Sequence, residues 1–247
     1  MSFLHNKLIN GDCTRVMTML ATESIDFILT DPPYLVRYRS RDGRSVPNDD
    51  NDAWLKPAFA EMYRVLKRDS FAVSFYGWPA ADKFLAAYRE AGFRPVGHLT
   101  FPKGYASYRG YLRSEHENAH LLVKGNPWRC DGTIADVLPW KYTGNRLHPT
   151  QKPLEALEPL VAQFCPPDGI VLDPFAGSGS TLEAAQRLGR KWIGVELSAE
   201  YHAIANRRLN KSLVPANGGA QFHRLHNEAA APRASQGHGE GQWQNVQ

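Results

Sequence analysis

Residues 169–196 most narrowly limit what this chain can become. Gly169-Ile170-Val171-Leu172 is an apolar, β-branched run that reads as a buried strand. Asp173-Pro174-Phe175-Ala176-Gly177-Ser178-Gly179-Ser180-Thr181 follows as a turn rich in small residues. From Gly179 to Leu188 the pattern is helical and ends at Gly189. Trp192-Ile193-Gly194-Val195-Glu196 is a second strand. A strand, a glycine turn and a helix that returns to another strand build a parallel sheet, with ligands at the carboxyl ends of its strands. Glycines let a backbone approach a ligand closely, and Glu196, about twenty residues beyond them, suits a carboxylate that holds ribose hydroxyls. No Gly-Lys-Ser/Thr follows, which argues against a phosphate-binding P-loop; dinucleotide binding stays open, although the third glycine of that fingerprint is missing.

The rest of the chain repeats the alternation. Strands are expected at Lys7–Asn10, Ile25–Thr30, Phe71–Tyr76, Pro95–Phe101 and Ala119–Val123, the last two as partners. Helical spacing marks Thr14–Leu20, Trp54–Leu66, Ala80–Ala91 (capped by Gly92), Pro153–Phe164 (proline in its first turn) and Ala199–Leu209. The expected fold is a doubly wound, mostly parallel α/β sheet with helices on both faces. The segment 35–52 reads as a long polar loop, and 124–150 as irregular chain. Residues 213–247 are sparse in apolar side chains and are expected to be a disordered tail behind a domain spanning 1–212.

At 247 residues the chain is long enough for a substantial core, and its formal net charge of +4 permits a nucleic-acid partner without demanding one. Three widely spaced cysteines, Cys13, Cys130 and Cys165, suit a reducing compartment. No apolar run reaches the roughly 20 residues of a membrane span, so a cytoplasmic protein with no membrane partner is expected.

A second constellation is Asp31-Pro32-Pro33-Tyr34, directly after the strand Ile25–Thr30. Two prolines stop both strand and helix, so a carboxylate and an aromatic ring leave the strand end in a fixed geometry. A competing pattern is His116-Glu117-Asn118-Ala119-His120, which fits the H-E-x-x-H of zinc proteases. That chemistry needs both histidines on one face of a helix and a third ligand. The following Leu-Leu-Val reads as a strand, no third histidine follows at the right spacing, and no metal is expected.

Taken together, Asp31-Pro32-Pro33-Tyr34 and Asp173–Thr181 resemble the two signature motifs of the DNA amino-methyltransferases that use S-adenosylmethionine. The catalytic motif comes first, which resembles the permuted β class and implies a Rossmann-like methyltransferase fold with circularly permuted motif order. His148-Pro149-Thr150-Gln151-Lys152-Pro153 and Gly11-Asp12-Cys13 are similar to further segments of that class. The resemblance implies that Asp31 and the Pro32 carbonyl receive the amine hydrogens of a flipped base, with Tyr34 stacked on it. It further implies that Asp173, Phe175, Gly177, Gly179, Ser180 and Thr181 line the cofactor site and that Glu196 holds the ribose. Asp12 and Cys13 would then touch adenine, and Thr150, Gln151 and Lys152 would lie beside the methionine end. Asp in the first position with Tyr in the fourth is, as a family tendency, the pattern for the N6 amine of adenine; cytosine-N4 remains the alternative.

Double-stranded DNA would be gripped by residues that interleave basic and aromatic side chains. The candidates are Arg37, Arg39, Arg41 and Arg44 in the first loop, then Lys103, Tyr108 and Arg109, and Lys141 and Arg146, the last two groups within 103–147. Little chain remains for a separate recognition domain, and the resemblance implies a homodimer. Whether a cognate restriction nuclease exists is left open.

Overall fold

The structure is a computed structural model, and it describes residues 5–37, 47–109, 111–127, 132–144, 147 and 151–212. Arg39, Arg41, Arg44, Arg146 and Thr150 lie outside the described residues, as does the expected tail at 213–247.

Seven strands form one sheet in the order β1-β7-β6-β2-β3-β5-β4. They are β1 (Lys7–Asn10), β2 (Ile25–Thr30), β3 (Leu66–Tyr76), β4 (Arg94–Arg109), β5 (Leu112–Lys124), β6 (Ile170–Asp173) and β7 (Lys191–Glu196). All neighbours pair in parallel except β5, which runs antiparallel to both β3 and β4. The helices are α1 (Cys13–Met17), α2 (Leu55–Val65), α3 (Ala81–Ala91), α4 (Leu154–Phe164), α5 (Ser180–Arg187) and α6 (Ala199–Ser212).

Each expected strand and helix exists, with shifted ends. Pro153 proves to be the N-cap of α4 and not a residue of its first turn. The larger departure concerns residues 103–109, expected in a DNA-contacting loop. Here β4 continues to Arg109 and pairs with β5 through Ser107↔Ser114, Tyr108↔Arg113 and Arg109↔Leu112. The ladder is interrupted between Pro102 and Ser107. Proline lacks an N–H to donate, so the strand breaks register there and resumes beyond it.

Two apolar layers cover the sheet. Alternate residues of β2 face opposite sides: Ile28 joins the layer of Leu55, Phe59, Phe84 and Tyr88 from α2 and α3. Phe27 and Leu29 join the layer of Leu157, Val161, Leu182 and Leu209 from α4, α5 and α6. A strand buried on both faces must be apolar at nearly every position, as Ile25–Thr30 is. The chain runs outward from β2 to β3 on one side and from β6 to β7 on the other. The boundary between β2 and β6 is therefore the topological switch point, where doubly wound sheets bind their ligands.

Phe59 on α2 is 1% exposed and packs edge-on against Phe84, Tyr88 and Phe93. Phe59→Ala is expected to lower stability by about 3–5 kcal/mol, measured by urea unfolding; a loss below about 1 kcal/mol would mean this layer does not hold the helices to the sheet.

Candidate active site

The parallel pairing places four strand ends in a row. The register Asn10↔Glu196, Asp173↔Gly194 and Ile28↔Leu172 brings Asp12, Glu196, Asp173 and Asp31 to one edge of the sheet. A single cleft there is lined by Asp12, Cys13, Asp31, Pro32, Pro33, Tyr34, Gln151, Lys152, Asp173, Phe175, Gly177, Ser180, Thr181 and Glu196. The two motifs expected to cooperate, separated by about 140 residues of chain, therefore share a wall.

Asp173 ends β6. Its Oδ1 accepts the Thr30 hydroxyl at 3.1 Å and the Phe175 N–H at 3.1 Å. Burial pushes its carboxyl up to about 7, with hydrogen bonds from Thr181, Phe175 and Thr30 opposing the rise. The glycine turn then bends under positive φ at Gly177 (51°) and Gly179 (79°). A Cβ on Gly179 would lie 3.1 Å from the Ala205 Cβ, so a side chain there would have to push α6 back by a few tenths of an ångström and would be strained at this positive φ. Arg208 of α6 braces the turn from behind, donating to Ser180 Oγ at 2.8 Å and pairing with Glu183.

Glu196 ends β7 and is 8% exposed. Its two oxygens accept the Gly177 N–H at 2.8 Å and the Ser198 N–H at 2.7 Å, which sets the carboxylate against the turn. Burial holds its carboxyl above the usual range. Asp12 caps α1 through the N–H groups of Thr14 and Arg15, and the Thr14 hydroxyl draws its carboxyl down. Cys13 is buried and its thiol is pushed up to about 12 by desolvation, so at neutral pH it is a neutral apolar wall and not a nucleophile.

Asp31 follows β2. Its Oδ2 lies 2.6 Å from the Lys152 ammonium, while Oδ1 is buried with no hydrogen-bond partner among the described residues. Such an acceptor typically costs about 1–3 kcal/mol until a donor arrives. Pro32 and Pro33 are buried. Tyr34 donates its hydroxyl to Glu117 at 3.2 Å, and the chain turns away at once through a left-handed Leu35 (φ 60°). A Cβ on Gly77 would fall 2.7 Å from the Tyr34 Cβ, so β3 ends in glycine where the Asp31–Tyr34 segment crosses it.

Several groups in the cleft were not marked by any motif. Trp54, just before α2, packs edge-on to Phe175 at 5.0 Å and lines the cleft with Asn48, Asp49 and Tyr201. Only its position before a helix is visible in sequence. Glu117 belonged to the H-E-x-x-H pattern, and the structure gives it another setting. It lies on β5, where His116 and His120 are four strand residues, or about 13 Å, apart. His120 stacks on Tyr76 with ring centroids 4.1 Å apart. Two histidines at that distance cannot share one zinc ion, so the protease pattern is incidental.

The expected DNA contacts divide. Arg37 and Lys141 are exposed. Lys103 is not available to a phosphate: its side chain is 5% exposed and pairs with Glu117 at 2.9 Å. Tyr108 and Arg109 lie on the outer part of β4.

The DNA methylase family of N6 and N4 amino-methyltransferases matches residues 25–207. The chain belongs to this family. It is similar to the methylase YubD of Escherichia coli K12, 53% identical over 204 residues that cover 83% of this chain and 90% of YubD. It is also similar to the DNA adenine methyltransferase YhdJ of the same organism, 28% identical over 242 residues that cover 82% of each. Its fold matches the crystal structure of the M1.HpyAVI–SAM complex with a TM-score of 0.67 and 24% identity, over 83% of this chain and 98% of that one. The protein is thus a DNA methyltransferase with the Rossmann-like methyltransferase fold. No helix among the described residues is long and apolar enough to cross a membrane.

Asp173 supplies a test of the site's electrostatics. Its folded value of about 7 lies above the ordinary aspartate value of about 3.9, so the folded state binds the extra proton between those pH values. Stability contributed by that proton is present at low pH and lost as pH rises through about 7. Asp173→Asn keeps the Oδ1 acceptor and removes the charge. In cofactor-free protein its thermal midpoint is expected to gain on wild type between pH 5 and 8, followed by calorimetry; a constant difference across that range would contradict the buried-carboxylate reading.

Proposed function

We propose that this enzyme methylates the N6 amine of adenine in double-stranded DNA, with the catalytic motif preceding the cofactor motif as in the permuted β class. The observation that carries this reading is the adjacency of Asp31 and Asp173 at the β2–β6 switch point, with a buried oxygen on Asp31 that has no partner among the described residues. YhdJ, whose name specifies adenine, supports the choice of base, as does Asp in the first position of Asp31–Tyr34.

The residues fit the cofactor. Phe175, Gly177, Ser180 and Thr181 would hold it along the turn, Glu196 its ribose hydroxyls, and Asp12 and Cys13 its adenine; Gly179, expected to line the site, instead faces Ala205 of α6 and would only shape the turn. Gln151 stands at the same cleft and Thr150 would join it. When bound, S-adenosylmethionine supplies an electrophilic methyl group on a sulfonium.

An exocyclic amine is a poor nucleophile, because its lone pair is delocalised into the ring. The base must leave the stack before that amine can reach the cleft. Asp31 accepts one amine hydrogen and the Pro32 carbonyl the other, which draws the nitrogen toward tetrahedral geometry. A carboxylate held in place stabilises the positive charge that develops there without reorganising. The prolines hold both acceptors still, and Tyr34 offers its ring to the base. Arg37, Arg39, Arg41, Arg44, Tyr108, Arg109, Lys141 and Arg146 are assigned to the DNA, where each lost phosphate contact weakens binding across sequences alike.

Incubation with DNA and labelled S-adenosylmethionine, followed by nucleoside mass spectrometry, is expected to place label in N6-methyladenine. Asp31→Ala is expected to lower kcat by about a hundred- to a thousandfold, as loss of a preorganised electrostatic partner commonly does (~10²–10³). Label found only in N4-methylcytosine would sink the adenine assignment.

A further inference from the structure

The most unusual feature beneath the site is a buried lysine. Lys152 enters from the segment before α4 with its side chain 5% exposed, and its ammonium lies 2.6 Å from Asp31 Oδ2. Three rings surround that ammonium: Phe75 at 5.0 Å, Tyr34 at 5.2 Å and Trp140 at 5.9 Å. Aromatic faces attract a cation without offering it a hydrogen-bond acceptor, so its acceptors come from elsewhere. Glu117 approaches from β5, with one oxygen on the Tyr34 hydroxyl and the other on Lys103 Nζ at 2.9 Å. Two carboxylates and two ammonium groups thus underlie the Asp31–Tyr34 segment.

We propose that Lys152 is the fixed counter-ion of Asp31, a positioning residue that keeps the carboxylate charged and oriented, and that Glu117 completes the device by anchoring the Tyr34 hydroxyl. The inference rests on the reading of Asp31 as the group that receives the target amine. It reassigns Lys152 from the methionine end of the cofactor to the carboxylate.

The physical need is plain. A protonated Asp31 could still accept an amine hydrogen through its carbonyl oxygen, but only the ionised form stabilises the positive charge that follows. Burial raises its carboxyl above the usual range; the Lys152 charge opposes this most strongly, the Lys152 hydrogen bond adds to that opposition, and Glu117 works the other way. Asp173 on the neighbouring strand faces the same pocket and adds negative charge. Without the ammonium, the carboxyl groups of Asp31, Glu117 and Asp173 would be left, among the described residues, with Lys103, which pairs with Glu117 and not with Asp31. Glu117 itself is held below the usual range, because Lys152 and Lys103 more than offset its own desolvation. Lys152 therefore pairs directly with Asp31 and acts on Glu117 through its charge.

The test uses the full-length enzyme with 13C-carboxyl aspartate. The Asp31 resonance is identified by its loss in Asp31→Asn, and it is titrated without cofactor alongside pH profiles of kcat/KM. In Lys152→Met the Asp31 midpoint and the acidic limb of the profile should both rise by about one pH unit or more, with kcat/KM at pH 7 down at least tenfold. Lys152→Arg should return part of that shift, and Glu117→Gln should move the midpoint the opposite way while raising KM for DNA. Lys152→Gln serves as the neutral variant if methionine prevents folding. An unchanged midpoint in the neutral variant, or shifts of the same sign in Lys152→Met and Glu117→Gln, would overturn the proposal. If Asp31→Asn kept full activity, the catalytic reading would fail instead, while the titration would still decide the ion pair.

Discussion

The structure depends on the parallel pairing of β2 with β6. The ladder Phe27↔Val171 and Ile28↔Leu172 joins segments from opposite ends of the chain and sets their last residues side by side. Thr30 then bonds to Asp173, and one residue later Asp31 leaves the sheet. Parallel strands need long crossovers, and these cover the two faces of the sheet with different helices. The helices α1 to α3 pack on one face and α4 to α6 on the other, so the helices do not cover the switch-point edge. A cleft at that edge follows from the winding.

Electrostatics in the cleft are built on acids that the interior would prefer neutral. Asp31, Asp173 and Glu196 all sit above their ordinary range, with desolvation the first cause in each. A wall of partly desolvated carboxyl groups suits a cationic donor and an amine that gains positive charge. Each acid is restrained differently. Glu196 is held by backbone N–H groups and Asp173 by a hydroxyl and an N–H, whereas Asp31 alone among the three has a lysine. The acid closest to the proposed chemistry is thus the one whose charge is most directly supported.

Much of this was legible in the order of residues. Strand ends, glycine turn and helix starts were visible because buried parallel strands are apolar at nearly every position and because Gly177 and Gly179 adopt backbone angles that other residues avoid. Pro102 hid the length of β4, since a proline and a glycine close together read as a loop, while the backbone resumes pairing beyond them. Lys103 illustrates a second limit. A lysine amid tyrosines looks like a DNA contact, yet a carboxylate fourteen positions away, Glu117, takes it into the interior.

The chain's own order of residues determined the α/β class, the two motifs and the residue types that line the cleft. These are local properties: apolar period, turn chemistry and the rigidity of consecutive prolines. Tertiary structure alone decided that Glu117 belongs beneath Tyr34 and not on a zinc ion, that Trp54 packs on Phe175, and that Lys152 pairs with Asp31. Those are meetings between residues up to 121 positions apart. They arise only when the sheet has closed and burial makes an unpaired charge costly. The stretch Asp31–Tyr34 announces a carboxylate in a rigid frame; the fold supplies the cation that lets it remain one.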